Sequence, residues 1–149
     1  MEISYLFLLQ VVPITIITWL LFCLVAPFVE ETAKILGLIL VEEEEKPKFD
    51  AGGWMMLGVF GGFGFGILEN IMYSMMAISK IGGSFAVYLF VIRTFTALTM
   101  HIISTSTAAY GFAFYARGGN FASFLKYFGL AIIIHAAYNF SVTLLAPYY

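Results

Sequence analysis

Long apolar runs, interrupted by few ionisable residues, constrain this chain more than any other feature of its sequence. A helix that crosses a bilayer needs about 20 mainly apolar residues. Runs on that scale cover residues 5–24, 52–79, 85–115 and 125–146. Of the 149 residues, 62% are hydrophobic and 11% are charged; a soluble domain has about 25% charged residues. The sequence therefore predicts an all-α membrane protein.

Pro27 follows the first apolar run, and proline lacks the N–H that a helix interior needs. We therefore expect a break there and a second, shorter helix over residues 27–41. These segments predict a compact bundle of about five transmembrane helices, with residues 1–149 forming one domain. Residues 42–50, EEEEKPKFD, are predicted to form an acidic loop at the membrane surface.

The charges predict how the chain lies in the bilayer and which partners it has. Its net charge of −2 gives no reason to expect a nucleic acid partner, and the single Cys23 excludes an intramolecular disulfide. In a five-span topology Lys46, Lys48 and Arg117 lie in loops on the side of the N-terminus, against Lys80 on the other side. Cytoplasmic loops carry the excess of lysine and arginine. The N-terminus is therefore predicted inside and the C-terminus outside.

Several ionisable side chains lie within the predicted spans. A charged residue at a helix centre costs about 2.5–3.5 kcal/mol on insertion scales, so such residues face one another or a wet cavity, and they are candidates for a functional site. The residues are Glu30, Glu31, Lys34, Glu69, Arg93, His101 and His135.

Helical spacing shows how these groups can converge. Side chains four residues apart share a helix face, and Glu30 with Lys34 and His135 with Asn139 have that spacing. The third predicted helix has a stripe of small residues that ends in a polar one, formed by Gly58, Gly62, Gly66 and Asn70. Small residues let membrane helices approach closely, which would bring the neighbouring Glu69 next to its partners.

Four short motifs occur in order on successive predicted helices: EETAK, FGILEN, HIIST and HAAYN. In this order, and with an arginine eight residues before HIIST, they resemble the PrsW family of intramembrane proteases, relatives of the CAAX prenyl endopeptidases and bacterial Abi proteins. The similarity covers about residues 25–142. PrsW proteins usually have more spans, so this chain resembles a reduced core. The matching positions are Glu30, Glu31, Lys34, Phe65, Glu69, Asn70, Arg93, His101, Thr105, His135 and Asn139.

The resemblance implies hydrolysis of a peptide bond within or beside a prokaryotic cell membrane, in a membrane-anchored protein substrate. It also implies that the glutamates of the first motif and the histidine of the third are essential. Peptide hydrolysis needs an activated water, an oxyanion stabiliser and a proton donor for the leaving amine. We expect Glu30 or Glu31 to be the base, with His101 assisting, and His135 with Asn139 to hold the oxyanion.

The remaining polar residues of the motifs are predicted to complete the site. Glu69 is a further candidate catalytic residue, while Lys34, Arg93 and Asn70 are expected to hold the carboxylates in place. The hydroxyl run at residues 104–107 is interpreted as bonding to its own helix backbone, as is usual in membrane helices. No serine, cysteine or aspartate arrangement competes with the glutamates and histidines.

Two alternatives to a cofactor-free protease remain open. Carboxylate and imidazole are zinc ligands, so Glu69, His101 and His135 with a water would suit Zn²⁺ in a metal-dependent version of the same protease. In a different class, chains of glutamate and histidine also relay protons, so the protein would be a proton or ion carrier or a non-catalytic membrane scaffold.

Overall fold

The structure is a computed structural model that describes residues 16–45 and 49–145. Throughout these ranges the regular structure is helical, which confirms the all-α prediction. The α-helices are α1 (Ala26–Glu45), α2 (Ala51–Lys80), α3 (Gly83–Phe95), α4 (Ala97–Gly118) and α5 (Phe121–Leu145). In the described part of the chain, three helical stretches are long and apolar enough to cross a membrane: Ala51–Lys80, Gly83–Gly118 and Phe121–Leu145.

The predicted break at Pro27 is wrong, because the chain is helical without interruption from residue 16 to Glu45. A π-helical turn, Leu21–Val25, lies just before Pro27, and the Ala26 N–H bonds to the Leu21 carbonyl five residues back. The widened turn accommodates a proline that has no N–H to donate. Residues 5–15 of the predicted first span lie outside the described residues.

The predicted acidic loop at residues 42–50 is also partly wrong, because residues 42–45 are the last turn of α1. Asp50 is the N-cap of α2, and its carboxylate accepts a hydrogen bond from the Gly53 N–H at 2.7 Å. Residues 46–48 lie outside the described part of the chain. The other predicted boundaries shift by one to four residues, since 52–79 is observed as Ala51–Lys80 and 125–146 as Phe121–Leu145.

The helix predicted for residues 85–115 is divided at Thr96 into α3 and α4. The Thr96 hydroxyl donates to the Ile92 carbonyl at 3.0 Å and lies 3.1 Å from the Tyr138 hydroxyl on α5. A threonine that bonds back to its own helix bends it. This bend separates the helix that carries Arg93 from the helix that carries His101.

The helical stretches alternate in direction along the chain. Sharp turns at Gly82 and Gly119, both with positive φ, reverse the chain after α2 and after α4. Arg117 and Lys80 therefore lie at opposite ends of the bundle, as the topology prediction requires. Because residue 16 and Glu45 are at the two ends of one continuous helix, the side of the N-terminus depends on residues 1–15, and its orientation stays a prediction.

Helices α2 and α4 pack closely along the predicted glycine stripe. Gly58, Gly62, Gly66 and Asn70 are all buried. A Cβ placed on Gly58 would lie 2.6 Å from the Cβ of Ala109, and one placed on Gly66 would lie 2.7 Å from Leu98 Cδ1. Near the N-terminal end of α2, the ring of Trp54 packs edge-to-face against Phe112, with ring centroids 5.0 Å apart. The close approach brings the backbone of His101 against α2.

Candidate active site

Nine polar residues of the motifs converge on one region inside the bundle. Each helix of the bundle contributes at least one of these nine, and hydrogen bonds or ion pairs connect every one of them to another part of the chain. The contributions are Glu30, Glu31 and Lys34 from α1, Glu69 and Asn70 from α2, Arg93 from α3, His101 from α4, and His135 and Asn139 from α5. The tenth, Thr105, is buried, but its hydroxyl has no hydrogen-bond partner in the described part of the chain.

Glu31 is the most heavily bonded carboxylate of this cluster. Its Oε1 accepts hydrogen bonds from Lys34 Nζ at 2.8 Å, from the Ser104 hydroxyl at 2.9 Å and from His135 Nδ1 at 2.9 Å. Its side chain is fully buried. Three donors from three helices fix this carboxylate as an anchor between α1, α4 and α5.

The four-residue spacing suggested that Lys34 pairs with Glu30, but Lys34 pairs with Glu31 instead. A partner three residues away lies on the same helix face, and α4 favours it by placing Ser104 beside Glu31 and His101 beside Lys34. Lys34 Nζ also lies 2.8 Å from His101 Nδ1 and 4.3 Å from the centre of the Phe65 ring. The ammonium therefore bridges the first and fourth helices.

His101 is hydrogen-bonded through both ring nitrogens. A lysine ammonium has only donors, so Nδ1 accepts from Lys34 and Nε2 carries the proton. Nε2 donates to Glu69 Oε2 at 2.7 Å, and the same oxygen accepts from Arg93 at 2.7 Å. Arg93 also donates to Asn70 Oδ1 at 3.1 Å and lies over the Tyr73 ring. A continuous hydrogen-bonded row thus runs from α1 through α4 and α2 to α3.

His135 connects the two adjacent glutamates of α1. Since Nδ1 donates to the Glu31 carboxylate, the neutral imidazole keeps a lone pair on Nε2. Nε2 lies 3.6 Å from Glu30 Oε2, too far for a hydrogen bond. Glu30 Oε2 has no hydrogen-bond partner in the described part of the chain. An available acceptor nitrogen and an available carboxylate oxygen therefore face each other across a small gap.

Asn139 occupies a different position from the one expected of an oxyanion donor alone. Its Nδ2 donates to the carbonyl of Phe22 at 2.8 Å, in the π-helical turn. In the five-residue register of that turn, Phe22 is the carbonyl that Pro27 cannot satisfy. Asn139 thus supplies the missing donor and connects α5 to the start of the first helix.

Ser104 was not predicted as a site residue, because the hydroxyl run at residues 104–107 was interpreted as bonding to its own helix. Ser104 does contact the His101 carbonyl at 3.2 Å, but it also donates to Glu31. Its position three residues after His101, on the same helix face, was the available signal. Ser106 and Thr107 behave as predicted and bond to the Ile103 carbonyl.

Burial differs sharply between the parts of the cluster. The side chains of Glu31, Lys34, His101 and His135 are at most 2% exposed, whereas Glu30 and Glu69 are 21% and 20% exposed. Arg93 is 12% exposed. The cluster is therefore most accessible at the side chains of Glu30 and Glu69.

One group of side chains has the spacing of a metal site. Ligand atoms of Glu30, His101 and His135 all lie within 4.8 Å of one another. The carboxylate in this group is Glu30 and not the predicted Glu69, whose Oε2 is paired with His101 and Arg93. The group has the donor types that zinc accepts, but one of its imidazoles already uses both nitrogens.

Apolar helices around a buried cluster of carboxylates, imidazoles and cations define an integral membrane protein with an ionisable cluster inside the bundle. The family described as PrsW family intramembrane metalloprotease matches residues 5–149. The chain belongs to this family, which confirms the resemblance and supports a membrane peptidase whose substrate is a membrane-embedded protein. No curated protein and no solved structure matches the chain.

Proposed function

We propose that the protein is an intramembrane endopeptidase in which Glu30 activates the hydrolytic water. The observation that carries this proposal is the 3.6 Å gap between Glu30 Oε2 and His135 Nε2, next to the partly exposed side chain of Glu30. A water that donates one hydrogen to each of these atoms would be held in a fixed orientation. Family membership supports the reaction, and the gap supports the residues.

The two glutamates of the EETAK motif then have separate roles. Glu31, with three donors on one oxygen, holds His135 in the tautomer that leaves its Nε2 lone pair toward the gap. Glu30 takes the proton as the water attacks the peptide carbonyl, and it returns that proton to the leaving amine. A carboxylate in a low-dielectric site suits both steps.

The developing oxyanion needs donors that are already in place. Asn139 is one helical turn from His135 on the same face of α5. An amide nitrogen has two hydrogens, and the Phe22 carbonyl accepts one of those on Asn139. We assign the second hydrogen to the oxyanion, so that Asn139 both positions the first helix and contributes to catalysis.

The arrangement of the side chains does not fit a three-ligand zinc site, although the family description includes a metal. Zinc binds an imidazole through a nitrogen lone pair. His101 has none while Lys34 donates to Nδ1 and Nε2 donates to Glu69. Within the group of Glu30, His101 and His135 this leaves two available ligand atoms and not three, so the proposed steps use the side chains of the chain alone.

A cleavage assay in proteoliposomes tests the proposal. The wild-type chain should convert a tagged single-span membrane protein into two fragments whose masses locate the cut. Glu30→Gln should abolish the fragments, and Glu43→Gln, at the exposed end of α1, should leave them unchanged. Chelators should not reduce wild-type cleavage.

The same vesicles distinguish the other class of function. A proton or ion flux that Glu30→Gln removes, without cleavage of any single-span protein by the wild type, would replace the peptidase with a carrier. A fully active Glu30→Gln variant would exclude Glu30 as the base, whereas a wild type with neither cleavage nor flux would favour a non-catalytic scaffold.

We further propose a prokaryotic cell membrane with the C-terminus outside. The separation of Arg117 and Lys80 to opposite ends of the bundle supports this orientation. A reporter that is active only outside the cytoplasm should be active when fused after Tyr149, and an inactive fusion would reverse the orientation.

A further inference from the structure

Lys34 places its ammonium directly beside one of the candidate metal ligands, His101. Its side chain is 2% exposed, and its ammonium contacts Glu31 Oε1 and His101 Nδ1, each at 2.8 Å. The face of the Phe65 ring lies on a further side, 4.3 Å away. A carboxylate, an imidazole and an aromatic face thus surround one positive charge.

This ammonium determines what His101 can bind. As a pure donor it makes Nδ1 an acceptor, and the only ring proton then resides on Nε2. That proton is donated to Glu69 at 2.7 Å, so neither nitrogen has a lone pair for a metal. A divalent ion among Glu30, His101 and His135 would also be repelled by the neighbouring ammonium in a low-dielectric interior.

We infer that Lys34 excludes divalent metal ions from the Glu30, His101 and His135 group, and that a neutral residue at position 34 turns this group into a metal site. Without the ammonium, the proton of His101 can reside on Nδ1, and Nε2 regains a lone pair. Three ligand atoms within 4.8 Å of one another would then be available, as tetrahedral zinc or cobalt requires besides a water.

The inference is tested by metal content. The untagged chain and its variants, purified in nanodiscs, are stripped with a chelator and dialysed against Zn²⁺ or Co²⁺. Lys34→Met should retain about one ion per chain and, with cobalt, show the intense visible absorption of a tetrahedral site. Wild type should retain none. Lys34→Arg, which keeps a cation with donors only, should also retain none.

Two further variants assign any bound ion to this group. Adding His135→Ala or Glu30→Ala to Lys34→Met should remove the ion, while adding Glu43→Ala should not. A folded Lys34→Met chain that binds no ion would overturn the inference. So would a wild-type chain that holds one ion and loses it on His135→Ala.

If Lys34→Met does not fold, Lys34→Gln, which is also neutral but polar, replaces it in the same assay. Uptake of the ion by Lys34→Gln, beside a wild type without bound metal, supports exclusion, and a folded Lys34→Gln chain without the ion contradicts it. The inference rests on the proposed function only for the location of the site. Its readout is bound metal, so loss of cleavage in any variant leaves the result unaffected.

Discussion

Helix α4 is held to its two sides by opposite means. Toward α2 it meets a stripe of glycines, where the backbones touch and no side chain fits between them, and the polar contact on this side is the hydrogen bond from His101 to Glu69. Toward the N-terminal half of α1 it is held by buried polar contacts, Lys34 to His101 and Ser104 to Glu31. Lipid offers no hydrophobic drive for helices to associate, so close packing and hydrogen bonds must replace it.

The difference shows where chemistry is located in this bundle. The glycine interface is fixed by shape, since its glycines have no side chains that could react. The interface with α1 contains charges whose insertion is costly, and these charges belong to the proposed site. In the proposed function the glycine interface therefore provides rigid support, and the polar interface provides reacting groups together with the attachment of α1.

The largest loss of stability should come from breaking the polar interface. Lys34→Met leaves the Glu31 carboxylate buried without its cation, a change that typically costs about 3–5 kcal/mol. Unfolding in mixed micelles with increasing denaturing detergent should show the loss, and Lys80→Met, at the exposed end of α2, should unfold like wild type. Equal stability of the two variants would mean that the ammonium contributes nothing to the attachment of α1.

The glycine interface should be nearly as sensitive, but to size and not to charge. A Cβ on Gly62 would collide with the His101 carbonyl, whereas one on Gly64 would have nothing within 4 Å. Overpacking of this kind costs about 1–3 kcal/mol. Gly62→Val should thus be destabilised while Gly64→Val is not, in the same unfolding assay. Equal behaviour of both variants would show that α2 and α4 do not pack through this stripe.

These two interfaces also mark how far the sequence could predict the structure. The glycine stripe was predictable because its residues lie on one helix at regular spacing. The partners of Lys34 were not, because the choice between Glu30 and Glu31 is made by Ser104 and His101, about seventy residues away. Spacing along one helix limits which side chains share a face, but another helix decides which of them bond.

The two breaks in the helices show a similar limit. Pro27 correctly marked an irregular position, yet the helix continues because a π-helical turn and the Asn139 side chain compensate for the missing N–H. Thr96 gave no such signal, since threonine is common in membrane helices. Its bend depends on a hydroxyl that bonds back to Ile92 and meets Tyr138 on another helix.

The smallest effect on stability should come from a single hydroxyl in the polar interface. Ser104→Ala removes one of the three donors to Glu31, and side-chain hydrogen bonds between membrane helices are worth about 0.6 kcal/mol on average. Double-mutant cycles with Glu31→Gln should give a coupling near that value. Ser106 bonds through its hydroxyl within its own helix, so Ser106→Ala should show no coupling. Equal coupling for both serines would argue against Glu31 as an anchor between the helices.

The separate roles of the adjacent glutamates are tested most directly by measuring unfolding and cleavage on the same preparations of Glu30→Gln and Glu31→Gln. Glu30 Oε2 has no hydrogen-bond partner among the described residues, so Glu30→Gln should unfold like wild type and cleave nothing. Glu31→Gln should unfold more easily, because the buried Lys34 ammonium loses its counter-charge. A destabilised Glu30→Gln beside a Glu31→Gln of wild-type stability, or an active Glu30→Gln, would contradict this division.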